Sequence, residues 1–234
     1  MNTEVIWGQF EEALQRFAPD DYAGLLPPAS EAEIAQAEKA LKVKFPAQLR
    51  AAYRRHNGVS PMLGNGREPQ GFFLGSARWC SLAEMVKKWQ FKKRYAEGAE
   101  MDDHDFFFFP VRDQTWDDLA IRPELWNKKW IPIGVTNTSS TYYVDLVPCA
   151  RGTKGQLITD SGQLEAMLIA PSLNAWIEFM TRSLISGRFK PDPETGEWTD
   201  TLWGAHTRAS FSYFGWNSSG AVHDAAPPQI SKPS

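Results

Sequence analysis

The chain has 234 residues, 42% of them hydrophobic, and a formal net charge of −3 at pH 7. This length allows one large domain or two small ones with a substantial core, and the charge lacks the basic excess that a nucleic-acid binder usually shows. The two cysteines, Cys80 and Cys149, form no CxxC pair, which excludes a small domain built on disulfides. Ten Trp and fourteen Phe suit either a core or a partner surface, and composition does not separate these uses.

The first residues predict neither a signal peptide nor a membrane anchor. The segment MNTEVIWGQFEEALQRF carries acids where a signal peptide carries bases, and it has no apolar run. No stretch approaches the roughly 18 apolar residues of a membrane span. We therefore expect a cytoplasmic protein, in a reducing compartment, that does not act at a membrane.

A first amphipathic helix is predicted over residues 3–17, where apolar residues recur at helical spacing. The sequence Ala18-Pro19-Asp20-Asp21 is expected to end it. Residues 25–28 (LLPP) then predict an extended linker, because proline forbids helix at its own position and disfavours it just before.

A pair of helices is predicted over residues 30–58. Ser30 and Glu33 have the spacing of a capping box, and the helix they open ends near Lys42. Pro46 suits the first turn of the next helix, where its missing N–H costs nothing. Asn57-Gly58 closes that helix, since glycine adopts the left-handed cap cheaply.

Residues 59–80 are rich in glycine and predict a loop with a short strand at 72–74. The pattern Ser81-Leu82-Ala83-Glu84 then opens a helix that runs to about residue 97. Basic residues at 87–94 (KKWQFKKR) fall mostly off its apolar stripe, which favours a solvated helix face. Pairing with the acidic loop that follows, or contact with nucleic acid through interleaved aromatics, are the alternatives. The apolar stripe consists of Leu82, Met85, Val86, Trp89 and Ala96.

The second half of the chain predicts consecutive strands and a closing helix. The strands are expected at 130–133, 141–146, 155–159 and 164–169. Ser172 caps the last helix, and Gly187 follows its end. Helices first, antiparallel strands next and a helix last indicate an α+β fold, with a mainly antiparallel or mixed sheet wrapped by four or more helices.

Residues 26–58, LPPASEAEIAQAEKALKVKFPAQLRAAYRRHNG, resemble the leading signature of the SUKH superfamily, of the Smi/Knr type. That signature is a proline, a capped helix with Glu and Leu, a proline-initiated helix and a closing His-Asn-Gly. Later segments match in the same order: 130–134 (WIPIG), 142–148 followed by 155–158, and Ala170-Pro171-Ser172 leading into Trp176.

The resemblance covers about residues 5–187, and it implies a helix-wrapped, mainly antiparallel sheet. We therefore expect a Smi/Knr-type domain over residues 1–187. An aromatic-rich extension over 188–216 and a flexible tail over 217–234 are expected to follow.

No motif in the sequence predicts catalysis, a cofactor or a metal. GxSxG does not occur, and Pro69 stands where a dinucleotide loop beginning at Gly64-Asn65-Gly66 needs its third glycine. The four histidines are scattered, and Asp102-Asp103-His104-Asp105 is the one dense cluster. A loose divalent-cation site is its minor interpretation, and a solvated or partner-facing loop the major one. His56 is interpreted as a helix cap.

The acidic loop at 100–118 carries seven acids against one base and lies outside the family pattern. Nuclease toxins act on nucleic acid and are often cationic, and an inhibitor that presents carboxylates gains fast, steered association. The phenylalanines at 106–109 are either partner anchors or a buried strand. We expect partner contacts from Asp102, Asp103, Asp105, Trp116, Asp117 and Asp118.

Asp145 lies in the middle of a predicted strand, between Val144 and Leu146. A buried carboxylate must be hydrogen-bonded, because leaving one unpaired costs several kcal/mol. A bond to a loop N–H is the favoured interpretation of Asp145, and a partner contact is the alternative.

The resemblance implies a binding protein without a catalytic constellation. We expect an immunity protein that binds and neutralises a cognate bacterial toxin, secreted or delivered by contact, with a cationic nuclease as one candidate. The alternative is an intracellular adaptor linked to cell-wall synthesis or signalling, similar to fungal regulators of this superfamily. Neither function requires an enzyme activity, a cofactor or direct nucleic-acid contact.

Overall fold

The computed structural model describes residues 2–64, 66, 77–98, 119–124, 126–136, 140–160, 166–191 and 198–200. The helices within these ranges are α1 (Thr3–Phe17), α2 (Pro19–Ala23), α3 (Glu31–Leu41), α4 (Ala47–Arg55), α5 (Leu82–Gly98) and α6 (Leu173–Ile185). The strands are β1 (Ala77–Trp79), β2 (Trp130–Thr136), β3 (Thr141–Asp145), β4 (Gln156–Asp160), β5 (Ala166–Ala170), β6 (Phe189–Pro191) and β7 (Trp198–Asp200).

Local side chains set the helix ends. The side chain of Asn2 accepts a first-turn N–H of α1, and Ser172 does the same for α6. Ser30 and Glu33 form the predicted capping box on α3, which ends where Lys42 takes a left-handed φ of 55°. Each of these bonds satisfies a backbone group that the helix itself leaves unpaired.

The short helix α2 was not predicted. Residues 18–21 end α1 as expected, and the ring of Pro19 then occupies the first turn of a five-residue helix. Proline is tolerated there because its φ already suits a helix and its missing N–H has no intrahelical partner.

Strands β1 to β5 form one sheet in chain order, and every neighbouring pair is antiparallel. This confirms the α+β fold with an antiparallel sheet wrapped by helices. The predicted strand ends shift by a few residues at most. Strand β1 was missed because its three residues show no period, and the strand predicted at 72–74 lies outside the described residues.

The two faces of the sheet bury different side chains, since successive residues of a strand point to opposite sides. Ile131, Val144 and Leu157 lie in register across β2, β3 and β4 and join the core that the helices cover. On the other face, Trp130, Tyr143 and Ile158 form a second cluster. The partly buried residues Ile121, Trp126, Val147, Ala166 and Leu168 pack against it.

Packing continues past residue 187, the expected end of the first domain. Strands β6 and β7 pair antiparallel, and the side chains of Phe189 and Trp198 are buried in the helix-covered core. The indole N–H of Trp198 donates to Asp21 Oδ2 over 3.3 Å, which attaches this hairpin to α2. The predicted tail at 217–234 lies outside the described residues.

Candidate interaction surface

His56 joins three segments at the end of α4. Its backbone N–H donates to Ala52 O, and its Nε2 lies 3.0 Å from Glu11 Oε1 on α1. Its Nδ1 lies 3.1 Å from the carbonyl oxygen of Leu26 in the linker. Both ring nitrogens face acceptors, so only the protonated ring donates to both. The interpretation of His56 as a capping residue is confirmed.

Asn57 and Gly58 fix the position at which α5 begins. The backbone N–H of Leu82 donates to Asn57 Oδ1 over 2.9 Å, which satisfies a free N–H at the helix start. Gly58 has a φ of +88°, and a Cβ there would lie 2.5 Å from Ser81 N. Only glycine fits this conformation and this approach. The closing motif of residues 26–58 therefore positions α5.

A capping box and an ion pair hold the first turn of α5. Ser81 and Glu84 bond reciprocally, with Ser81 N donating to Glu84 Oε2 over 3.0 Å and Glu84 N donating to Ser81 Oγ over 3.3 Å. Arg78 of β1 donates through both terminal nitrogens to the same carboxylate. Such a bidentate pair fixes geometry as well as contributing energy.

Further along α5, two side chains hold the helix against the sheet. The indole of Trp89 donates to the carbonyl oxygen of Lys128 over 3.2 Å. Lys92 Nζ donates to Asp160 Oδ2 over 2.8 Å, and Tyr143 OH donates to the same oxygen over 2.7 Å. The helix is thus anchored at its start and along its length, and its outward side has a fixed orientation.

The outward side of α5 carries two exposed aromatic rings among basic residues. Phe91 is 53% exposed and Tyr95 is 64% exposed. Their ring centroids lie 6.4 Å apart with planes 18° from parallel, and Lys88 Nζ lies 5.9 Å from the Phe91 centroid. We call the residues Lys87, Lys88, Phe91, Arg94 and Tyr95 the α5 face.

The cations of the α5 face form no close ion pair with an acid among the described residues. In the same run, Lys92 pairs with Asp160 and Lys93 lies 3.5 Å from Glu97, whereas Lys87, Lys88 and Arg94 form no such pair. Burial and the neighbouring Lys92 lower the pKa of Lys88, although the charge of Asp160 acts in the opposite direction. A carboxylate of a binding partner placed beside Lys88 would favour its charged form and so offset this lowering of its pKa.

A second basic region lies between the helices, and its charges are all paired. Its cations are Arg50, Arg54 and Arg55, which we call the paired arginine cluster. Arg50 Nη1 lies 2.7 Å from Glu38 Oε1, and Arg55 Nε lies 2.6 Å from Glu11 Oε1. The remaining acid partners are Glu4, with Arg55, and Glu31, with Arg50 and Arg54. These pairs connect α1, α3 and α4.

A groove of about 540 Å³ lies between α1 and α6. Acidic and basic side chains share its lining, so it presents no uniform charge to a ligand. Phe17 and Ile185 supply apolar surface to it. The charged lining residues are Glu12, Arg16, Glu178 and Arg182.

Most of the predicted partner-binding residues lie outside the described residues. These are Asp102, Asp103, Asp105, Trp116, Asp117 and Asp118. The phenylalanines at 106–109 also lie outside them, so their two interpretations stay open.

Asp145 is fully buried in the sheet. Its Oδ1 accepts the N–H of Val147 over 2.8 Å, and its Oδ2 accepts from Gln156 Nε2 over 3.0 Å. Burial raises its pKa even though these bonds favour the charged form. The predicted bond to a loop N–H is confirmed. The alternative of a partner contact does not fit, because the side chain offers no exposed surface.

The sequence favoured a solvated face for the basic run of α5, with nucleic-acid contact or pairing with the acidic loop as alternatives. That loop lies outside the described residues, so the pairing stays a prediction. The signal that identifies the α5 face is the spacing of Phe91 and Tyr95, four residues apart and off the apolar stripe. Trp89, considered as an interleaved contact residue, is buried against the core instead.

The described residues also limit the chemistry of the protein. They contain no group of three or more His, Cys, Asp or Glu able to hold a metal ion. Burial raises the pKa of the Cys80 thiol to about 12, so this cysteine does not act as a thiolate nucleophile. None of the helices in the described ranges is long and apolar enough to cross a membrane.

An antiparallel sheet of consecutive strands, covered by helices, defines an α+β domain in which α5 presents an exposed basic-aromatic surface. Residues 28–178 match the SMI1 / KNR4 family (SUKH-1), and this is more than half of the chain. The chain therefore belongs to the SMI1 / KNR4 family.

Two fungal proteins are similar to the chain. One is the "Cell wall assembly regulator SMI1" of Saccharomyces cerevisiae, 24% identical over an alignment 218 residues long, gaps included, that covers 84% of this chain and 41% of the yeast protein. The other is the "KNR4/SMI1 homolog" of Kluyveromyces lactis, 24% identical over an alignment 247 residues long, gaps included, that covers 82% of this chain and 44% of the relative. The chain thus spans less than half the length of the curated relatives it matches.

Proposed function

We propose that this chain is a recognition module that binds another protein in the cytoplasm and acts without catalysing a reaction. The observation that carries this proposal is the α5 face. Two exposed aromatic rings and three cations without described acid partners lie on a helix that is anchored along its length. Aromatic residues and arginine are enriched in protein–protein interfaces, and a preorganised surface loses little entropy on binding.

Regulation through a host partner is the form of this function that the relatives favour. One of them is named a cell wall assembly regulator. The α5 face supports this form, because its positive charge suits an acidic partner and would repel a cationic nuclease. We therefore place an intracellular adaptor role first.

Neutralisation of a bacterial toxin is the second candidate, favoured by the resemblance of residues 26–58 to a superfamily that includes immunity proteins. A cationic toxin would need an acidic surface on this chain. The residues expected to supply it, Asp102, Asp103 and Asp105 among them, belong to the acidic loop and lie outside the described residues. Direct nucleic-acid binding and membrane binding are not part of either proposal.

Affinity capture of the tagged full chain from its native host, after mild crosslinking, tests the proposal. We expect a small set of proteins enriched over the tag alone, at a constant ratio to the bait. Several housekeeping proteins would favour the adaptor, and one large secreted protein encoded beside the gene would favour immunity. A folded bait that enriches no protein, or that converts a substrate, would overturn the proposal.

A further inference from the structure

The α5 face differs from the rest of the described surface because it combines exposed rings with cations that form no close ion pair with a described residue. The described residues include five large hydrophobic side chains that are exposed, and Phe91 and Tyr95 are the aromatic ones among them. The other three, Val5, Met62 and Ile185, lie on separate segments. Scattered single apolar residues are normal on a protein surface, whereas a ring pair within a basic patch calls for a partner.

The electrostatics of this face specify the charge of that partner. Of the five cations at 87–94, two have acid partners in the described residues and three do not. Glu84, on the same helix, is already paired with Arg78. Among the described residues, the face therefore carries positive charge although the whole chain is net negative. Such a face attracts an acidic surface over about one Debye length, ~8 Å in physiological salt.

The geometry of the rings favours a protein partner over a nucleic acid. Phe91 and Tyr95 lie one helical turn apart and turn one face towards each other, so neither ring offers both faces for stacking with bases. Their exposed edges and outer faces are open to apolar side chains of an amphipathic partner segment.

Resting on the proposed function, we propose that the α5 face docks an acidic protein segment that carries apolar or aromatic side chains. Phe91 and Tyr95 are its anchors, and Lys87, Lys88 and Arg94 pair with its carboxylates. The anchoring bonds of α5 to Asn57, Lys128 and Asp160 hold this surface ready before the partner arrives.

A defined acidic polymer tests this chemistry without knowledge of the partner. The probe is a fluorescein-labelled random copolymer of glutamate and tyrosine, titrated with the full chain while anisotropy is recorded at low and at physiological salt. We expect saturable binding that weakens as salt rises. Polyglutamate of equal length, which lacks apolar side chains, should bind less tightly.

Paired variants locate the binding site. F91A/Y95A and, separately, K87E/R94E should weaken copolymer binding about tenfold or more, the scale of hot-spot removal. The apolar control V5A/M62A changes residues of similar exposure, and the charge control K39E/K154E changes two exposed lysines elsewhere. Both controls should bind like the parent, and circular dichroism should show all four variants folded.

Several results would overturn the proposal: no copolymer binding by the folded parent, equal weakening by variants and controls, or tighter binding of a single-stranded oligonucleotide that competes for the same face. Failure here is distinguishable from failure of the proposed function. A host protein captured equally well by the parent and by F91A/Y95A would leave the recognition function standing and remove the α5 face from it.

Discussion

The two basic regions of this molecule use the same residue types for different ends. In the paired arginine cluster, Arg50, Arg54 and Arg55 each contact a carboxylate on another helix or loop. On the α5 face, Lys87 and Arg94 contact no acid among the described residues. Charges between helices stabilise the fold only when paired, because removing them from water is costly. Exposed charges such as those of Lys87 and Arg94 stay hydrated, avoid this cost and are available to a partner.

The comparison shows that a run of basic residues in the sequence does not reveal its role. The role depends on whether acidic side chains elsewhere in the fold pair with it. Residues 50–55 and 87–94 both lie on helices that pack against the core. The first run faces Glu4, Glu11, Glu31 and Glu38. In the second run, Lys87 and Arg94 lie exposed on the outer side of α5, and the exposed rings of Phe91 and Tyr95 make this side a candidate docking surface.

The largest effect is expected at Gly58, which follows α4 and packs against the backbone of Cys80 and Ser81 just before α5. Gly58→Ala places a Cβ 2.5 Å from Ser81 N at a φ of +88°, so the turn before α5 must shift. We expect a loss of about 3 kcal/mol or more in unfolding free energy, measured by urea denaturation. Gly8→Ala is the control: Gly8 lies in α1 with nothing near the new Cβ, and Ala there should stabilise by up to about 1 kcal/mol. Equal effects would contradict the account of the junction.

Glu38→Ala breaks the paired arginine cluster at its most buried acid. Glu38 accepts from Lys44 Nζ, Phe45 N and Arg50 Nη1 at 2.7–3.0 Å and is 3% exposed. Its removal leaves the buried N–H of Phe45 and one N–H of Arg50 without an acceptor, while Arg50 keeps its pair with Glu31. We expect a cost of about 2 kcal/mol. Lys44→Ala, at the exposed end of the same pair, should cost less than about 1 kcal/mol. Similar losses in chemical denaturation would show that the cluster is not structural.

Glu11 makes the stability contributed by the paired arginine cluster dependent on pH. Burial raises its pKa, but hydrogen bonds from His56 and Arg55 outweigh this and lower the pKa from 4.5 to about 2. A lowered pKa means that the stabilisation is complete above pH 4.5 and is lost as the pH falls towards 2. Glu11→Gln should therefore cost about 2 kcal/mol at pH 7, and the difference from the parent should shrink over that window.

Thermal melts between pH 7 and pH 2.5 measure this difference, with Glu12→Gln as the control. Glu12 is the exposed neighbour on α1 and forms no ion pair with another described residue. A gap between Glu11→Gln and the parent that stays constant down to pH 2.5 would show that the Glu11 carboxylate does not stabilise α4 against α1.

The smallest effect on stability is expected on the α5 face. K87A/R94A removes two charges that contact no acid among the described residues, so unfolding free energy should change by less than about 0.5 kcal/mol. The matched pair R54A/R55A, in the paired arginine cluster, should lose clearly more. Calorimetry of both variants checks this. A large loss in K87A/R94A would mean that its cations hold the fold, and the contrast between the two regions would disappear.

The sequence predicted the elements that carry strong local signals. The capping boxes at Ser30 and Ser81 and the periodicity of α1 and α6 located the helices. β1 was missed because three residues have no period, and α2 because a proline that ends one helix also begins the next.

The candidate surface was only half visible in the sequence. The sequence shows that residues 87–94 contain no acid, and helical spacing predicted that most of their basic side chains lie off the apolar stripe. The position of Asp145 in a predicted strand likewise predicted its bond to a loop N–H. Which of several acids pairs with which base could not be predicted, because Glu11 and Arg55 lie far apart in the chain and meet only through tertiary packing.

An amide NMR titration of the full chain with the glutamate–tyrosine copolymer tests the central contrast most directly. The account predicts shift changes along residues 87–95 and unchanged signals at 50–55, since the first set of charges is available and the second is already paired. Changes at 50–55 with none at 87–95 would contradict it.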